Sequence, residues 1–546
     1  MTLPNLELLR DQSPLFPADG DFRATLEARG LYNSFQFVLR LSPVVHRKIA
    51  SLPSGITSEV DFEGMQAFST YLHETIHWWQ HIGSTYGFML SMTYPTQSHS
   101  NHGHLKKLIE QVGFKKSILN LAEALPRGGL GTPAGTANIV INNHFDMEVF
   151  RGLTVSPHAA KLMIQNPQFE NLGHAFTVLW GNNISLLSSV TDRHFNVIPH
   201  PKGWSAEFRK LREAREEGYY YGSPIGLPEL GAYELFEGQA RMSQLHYLHF
   251  GTGGKFDMAD AVSSGMFKGV YGKAFSGFLT MTGLDWPDSL DHPTVASFLV
   301  ACDVAINPGA GFPFPIVHFP SFIDDIDPGR RFMTMCKLAR EKCPEVFSLV
   351  QDYSREEYAE TSQKLASTIV EMPPLEIAAE FCRWISRPEF QPIMREYETF
   401  SFGEGNTVPR VLFAHFLAFM RDKYAHPEFF CWPGALMAGE RLATDAMALF
   451  DRHGALFVDK EDDDGIFPRL ISGQNEARVQ ETFDSFFANN VVFNLTRQWI
   501  TRPGPFDLDF GWLTQGGSPE AVQAYCERTF RSAYGVSLRD VDLLGA

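Results

Sequence analysis

Between Phe68 and Ile82 the chain contains neither Pro nor Gly, and Phe68, Leu72, Ile76 and Trp79 recur at three- and four-residue intervals. That spacing puts an apolar stripe on one face of a helix. Asp61 and Glu63 stand just ahead of it, where the positive end of the helix dipole favours acids, so a helix is predicted from there to about Met92. Leu227–Phe250 is a second strongly helical stretch, opened by Pro228 and Glu229 and ended by Gly251. Helical patterns also cover 143–153, 171–190, 205–217, 258–282, 291–306, Asp352–Met372 and Val411–Tyr424. By contrast, Ser34–Leu41 (SFQFVLRL) alternates in part and is rich in β-formers, which predicts a strand. Ala137–Asn142 fits a short strand or the start of a helix, and residues 1–33 are mixed and expected to wrap the surface. The Pro- and Gly-rich stretch 307–320 predicts a boundary that divides the chain into 1–306 and 307–546. The predicted fold class is predominantly α (α+β): a core with a small sheet, then a large helical C-terminal region.

Composition narrows the function classes. At 546 residues the chain is too long for one small core, and two or three domains are expected. Apolar residues make up 44% and aromatic residues 13%, which suits a globular chain and not a disordered one. The 46 Phe residues predict thick interiors between packed helices. A formal net charge of −17 argues against nucleic acid as a partner, because backbone phosphates need a basic surface. The six cysteines are scattered, all after residue 300 and without a C-x-x-C pair, the usage expected of reduced thiols. Met1–Asn5 has no basic or apolar signal-peptide character, and no stretch of about 18 apolar residues occurs. A cytoplasmic protein with no membrane span is the expectation.

The chemistry concentrates in His73-Glu74-Thr75-Ile76-His77, an H-E-x-x-H motif inside the first predicted helix. Residues at i and i+4 share a helix face, so two imidazoles there can reach one metal ion. Glu74 stands beside the first of them, placed to take a proton from a metal-bound water. Chance would produce the motif about 0.04 times in a chain of this composition. Zn2+ is therefore the expected cofactor, and His73 and His77 its expected ligands. Other segments carry less. Ser98–His104 is His-dense and reads as a solvated loop leading into a helix at Leu105–Val112. Gly128–Gly135 lacks the Gly-Lys-Ser/Thr ending of a phosphate loop and reads as a connector. Lys460–Gly465 lacks the alternating ligands of a calcium loop and reads as a solvated acidic turn.

A catalytic zinc takes three protein ligands and leaves one position for water. His81 tempts, but it lies about 12 Å along the helix axis from His73, too far to share one ion. Glu237 follows Leu230 and Tyr233 by seven and four residues, so it shares a face with apolar side chains. A carboxylate facing a core needs a partner, and a metal is a strong one. Glu234 and Glu148 remain alternatives. H-E-x-x-H followed on a later helix by Glu237-Gly238-Gln239-Ala240 resembles the gluzincin metallopeptidases. The resemblance covers residues 68–82 and 230–245, and departs in spacing, with about 160 residues between His77 and Glu237. It implies a zincin-like domain over 1–306, Glu237 as third zinc ligand, and hydrolysis of a peptide or protein substrate with Glu74 as general base. Tyr233, Arg241 and His246 are then the candidate oxyanion donors. Two other readings use the same residues. One is a helical di-iron carboxylate protein, which needs a second Glu-x-x-His that this chain lacks. The other is a non-catalytic zincin-like scaffold, which has no need of Glu74.

Overall fold

The computed structural model describes residues 29–52, 60–155, 157–403, 405–471, 473–510 and 518–544. The surface wrapping expected of the first 33 residues lies mostly outside the described residues. Helix accounts for 64% and strand for 5%, so the predominantly helical class with a small sheet holds. Six helices are referred to below: α1 (Phe62–Gly83), α2 (Thr93–Val112), α3 (Pro133–Val155), α4 (Ala232–Gly251), α5 (Val270–Thr282) and α6 (Thr407–Ala425).

Four strands form the main sheet: β1 (Gly30–Asn33), β2 (Val38–Leu41), β3 (Phe457–Lys460) and β4 (Asp463–Pro468), in the order β1-β2-β3-β4. β1 and β2 are antiparallel with Gly30 opposite Leu41, β2 and β3 are parallel with Val38 opposite Phe457, and β3 and β4 are antiparallel. Strands from both sides of residue 307 therefore share one sheet. Asp459 reinforces the join by accepting from Leu41 N at 3.1 Å and by pairing with His46 at 2.8 Å. The acidic run predicted as a solvated turn forms the β3–β4 hairpin. Buried apolar side chains from both halves of the chain form one continuous cluster.

Three predicted elements are corrected. The single strand at Ser34–Leu41 is instead the turn and second strand of a hairpin, with Phe37 at φ 57° in the turn. The helix expected to reach Met92 stops at Gly83, because Ser84 takes an extended conformation and its Oγ caps the next helix from Gly87 N at 3.0 Å. The His-dense segment is the middle of α2, not a loop. Polar side chains of α2 find partners on α3: Gln97, just before the segment, meets His144 Nδ1 at 2.8 Å, and Asn143 donates to Asn101 at 3.3 Å. Those hydrogen bonds, one buried and one partly buried, override the loop preference of Ser, Asn and Gly.

α1 lies on β1 and β2, with α4 and α6 packed against it. Asp61 caps it by accepting from Gly64 N at 2.6 Å. Trp78 and Trp79 are core residues. Trp79 donates to His453 O at 2.8 Å among Phe419, Phe429, Phe430 and Phe450, while Trp78 packs on Tyr32 of β1. Gly83 permits the contact with α6: a Cβ there would stand 2.2 Å from the Phe419 ring.

Candidate metal centre

α1 and α4 pack side by side and place three donors together. His73 and His77 Nε2 are 3.1 Å apart, and Glu237 Oε2 lies 3.4 Å from the first and 3.5 Å from the second. Four ligands at 2.0–2.1 Å around a tetrahedral ion define edges of roughly 3.3–3.4 Å, so the three separations match one face of such a tetrahedron. Among the described residues, this is the group of His, Cys, Asp and Glu side chains gathered closely enough to hold a metal ion. All three are buried, at 2%, 9% and 9% exposure for His73, His77 and Glu237.

Local sequence explains the assembly. The i, i+4 spacing brings the two imidazoles to one face of α1. On α4, Gly238 lets α5 approach, because a Cβ there would lie 3.0 Å from Ala274 Cβ and 3.3 Å from Phe298. Glu234, the alternative one turn earlier, accepts from Gly231 N at 2.8 Å, closing the N-terminus of α4, and pairs with Lys273 at 2.8 Å. Glu148 lies on α3, bonded to Arg151 and within 3.5 Å of Gln97. Neither alternative joins His73 and His77.

The electrostatics follow from burial of a charged pair. Burial alone would depress His77, but the Glu237 and Glu74 carboxylates and two hydrogen bonds push it up to about 9. Burial lowers His73, with His77 and Arg241 adding to the effect. Burial would raise Glu237, yet the two imidazoles hold its carboxyl well below the usual carboxylate range. Without metal, a proton on the group is thus favoured on His77, facing the Glu237 carboxylate, over His73.

Glu74 is 2% exposed and lies against β1. A Cβ on Gly30 would be 2.6 Å from Glu74 Cγ and 2.8 Å from its Oε1. His81, set aside on distance, and His246, a candidate donor, have other surroundings, whereas Arg241 acts on His73. His81 is buried between Phe236 and Tyr32, and burial drops it to about 3. His246 points away and meets Leu290 O at 2.9 Å. Arg241 covers the face of Tyr271 at 4.1 Å, and the Tyr271 ring stands 6.0 Å from that of His73. Tyr271, on α5, was not legible as a site residue, since its segment carries no motif.

One further contact escaped the sequence reading. Gln80 Oε1 lies 2.8 Å from His77 Nδ1, and Gln80 Nε2 lies 2.9 Å from both Phe236 O and Gln239 Oε1. Its only sequence signal is the i+3 step from His77, which any helix supplies. No family model, curated protein or solved structure matches this chain. Among the described residues, no helix is long and apolar enough to cross a membrane.

Proposed function

We propose that the protein is a zinc-dependent hydrolase, most simply a metallopeptidase with a zincin-like catalytic region. The carrying observation is the near-tetrahedral face made by His73, His77 and Glu237, with Glu74 buried beside it on the same helix. His73, His77 and Glu237 would hold the ion. When bound, zinc supplies Lewis acidity to a carbonyl and to a water. Glu74 accepts the proton released at the attacking oxygen and returns it to the leaving amine. Arg241 and Tyr271 border His73 and offer donors for charge developing on the carbonyl oxygen. The substrate class on this reading is a peptide or protein, and the six free cysteines suit a cytoplasmic setting.

Elemental analysis of the purified protein is the first test. About one zinc per chain is expected, lost in the His73→Ala, His77→Ala double variant. Glu74→Gln should keep the metal and the fold, because Gln is nearly isosteric and a good helix former. It should lose roughly 10²–10⁴-fold in hydrolysis of a fluorogenic peptide mixture. Full zinc occupancy in the double variant, or full activity in Glu74→Gln, defeats the proposal.

A further inference from the structure

We propose that Gln80 is the positioning residue of the metal centre, orienting His77 and tying α1 to α4 with one carboxamide. The inference rests on the metal-centre reading above. Hydrogen-bond chemistry fixes the carboxamide's orientation. Phe236 O is a backbone carbonyl and can only accept, so the Gln80 amino end must face it, 2.9 Å away. The carbonyl end then faces His77 Nδ1 at 2.8 Å, and Nδ1 must carry the proton it donates. That leaves His77 Nε2 as the metal-binding nitrogen, on the side where His73 and Glu237 stand. The second amino proton goes to Gln239 Oε1 at 2.9 Å, so both donors and the acceptor are used. Gln80 is 3% exposed, and water does not compete for these bonds.

The two α4 partners are the residues at −1 and +2 from Glu237. The same side chain that sets the His77 ring also sets the stretch of α4 that carries the third donor. A Glu at position 80 would still accept from His77 Nδ1, but would set an oxygen against both Phe236 O and Gln239 Oε1. Gln80→Glu therefore separates the two roles, and Gln80→Ala removes both.

Partners that orient a ligating imidazole are worth roughly 10–100-fold in metal affinity. The experiment measures zinc affinity by chelator competition, and the downfield Nδ1–H resonance of His77 in the zinc-loaded protein. Gln80→Ala should bind zinc 10–100-fold more weakly and lose the resonance, with the helical circular dichroism unchanged. Gln80→Glu should fall between Gln80→Ala and wild type and keep the resonance. Gln244→Ala is the structural comparison. Gln244 also ties the two helices, through Ser69 Oγ at 3.1 Å, and accepts from Arg241 without bonding His77 or Glu237, so its loss reports on helix packing and on Arg241 but not on the His77 ring. Wild-type affinity in Gln80→Ala overturns the inference, as does a loss in Gln244→Ala as large as that in Gln80→Ala. Failure of the wild type itself to bind zinc overturns the metal-centre reading instead, and this inference with it.

Discussion

Gly30→Ala tests the placement of Glu74, the proposed general base, without touching any residue that would hold metal. The new methyl carbon would sit 2.6 Å from Glu74 Cγ and 2.8 Å from Glu74 Oε1. Carbon atoms in ordinary contact stand about 3.5–4.0 Å apart, so Glu74 or β1 must move by about 1 Å. β1 is held to β2 by its ladder and Glu74 is anchored in α1, so the side chain gives way first. A displacement of that size at a catalytic group costs about 10²-fold in rate. Overpacking costs roughly 1–3 kcal/mol of stability, which a thermal melt reads separately. The assay compares kcat/KM on a fluorogenic peptide mixture with zinc content and melting temperature. The expected result is a folded, zinc-loaded protein about 10²-fold slower. Unchanged kcat/KM would refute the placement of Glu74 as base, and loss of zinc would mean that β1 supports the ligands and not the base.

Two further predictions concern the ligand set. Glu237→Ala should weaken zinc binding by at least tenfold in chelator competition, whereas Glu148→Ala and Glu234→Ala should leave affinity near wild type, Glu234→Ala costing about 1 kcal/mol in stability through its lost cap; equal zinc affinity in all three variants would remove Glu237 from the site. The raised His77 sets a pH dependence. Because its folded value of about 9 exceeds the ordinary 6.5, its contribution to metal-free stability is complete below 6.5 and lost as pH rises through 9. The same proton competes with the metal, so apparent zinc affinity should climb about tenfold per pH unit from 6.5 toward 9, and a flat profile above pH 7 would contradict it.

The residues that were legible are those whose chemistry is carried by local spacing. His73 and His77 sit on one helix, so i, i+4 geometry alone places them together, whereas the seat of Glu74 against Gly30 is a tertiary contact. Glu237 was legible for a different reason, a carboxylate on an apolar face; its helix ends at Gly251 as predicted but begins at Ala232, five residues after the predicted Leu227. The long helix broke at Ser84 because a side-chain cap outweighed a continuous apolar pattern. The polar α2 formed because α3 supplied partners that a local reading of Ser98–His104 has no access to. Tyr271 and Gln80 depend wholly on tertiary contact: Tyr271 reaches His73 only through the seat that Gly238 makes for α5, and Gln80 acquires meaning only from what α4 sets opposite it.

The long interval between His77 and Glu237 has a structural explanation. The intervening chain forms α2, α3 and the helices after them, and then returns α4 to the flank of α1. Separation in sequence therefore places no limit on the meeting of the two helices. What makes them meet is short-range: Gly238 admits α5 behind Glu237, Glu234 closes the N-terminus of α4, Gln80 bonds from α1 across to α4, and Gln244 bonds from α4 across to α1. Each of these lies within about two turns of Glu237 or His77, at 3.6 residues per turn. The three donors of the candidate metal centre thus come from two short segments, each about as long as a single helix. A variant with loop residues deleted from Gly128–Gly131, remote from both segments, should accordingly retain the zinc affinity of the wild type.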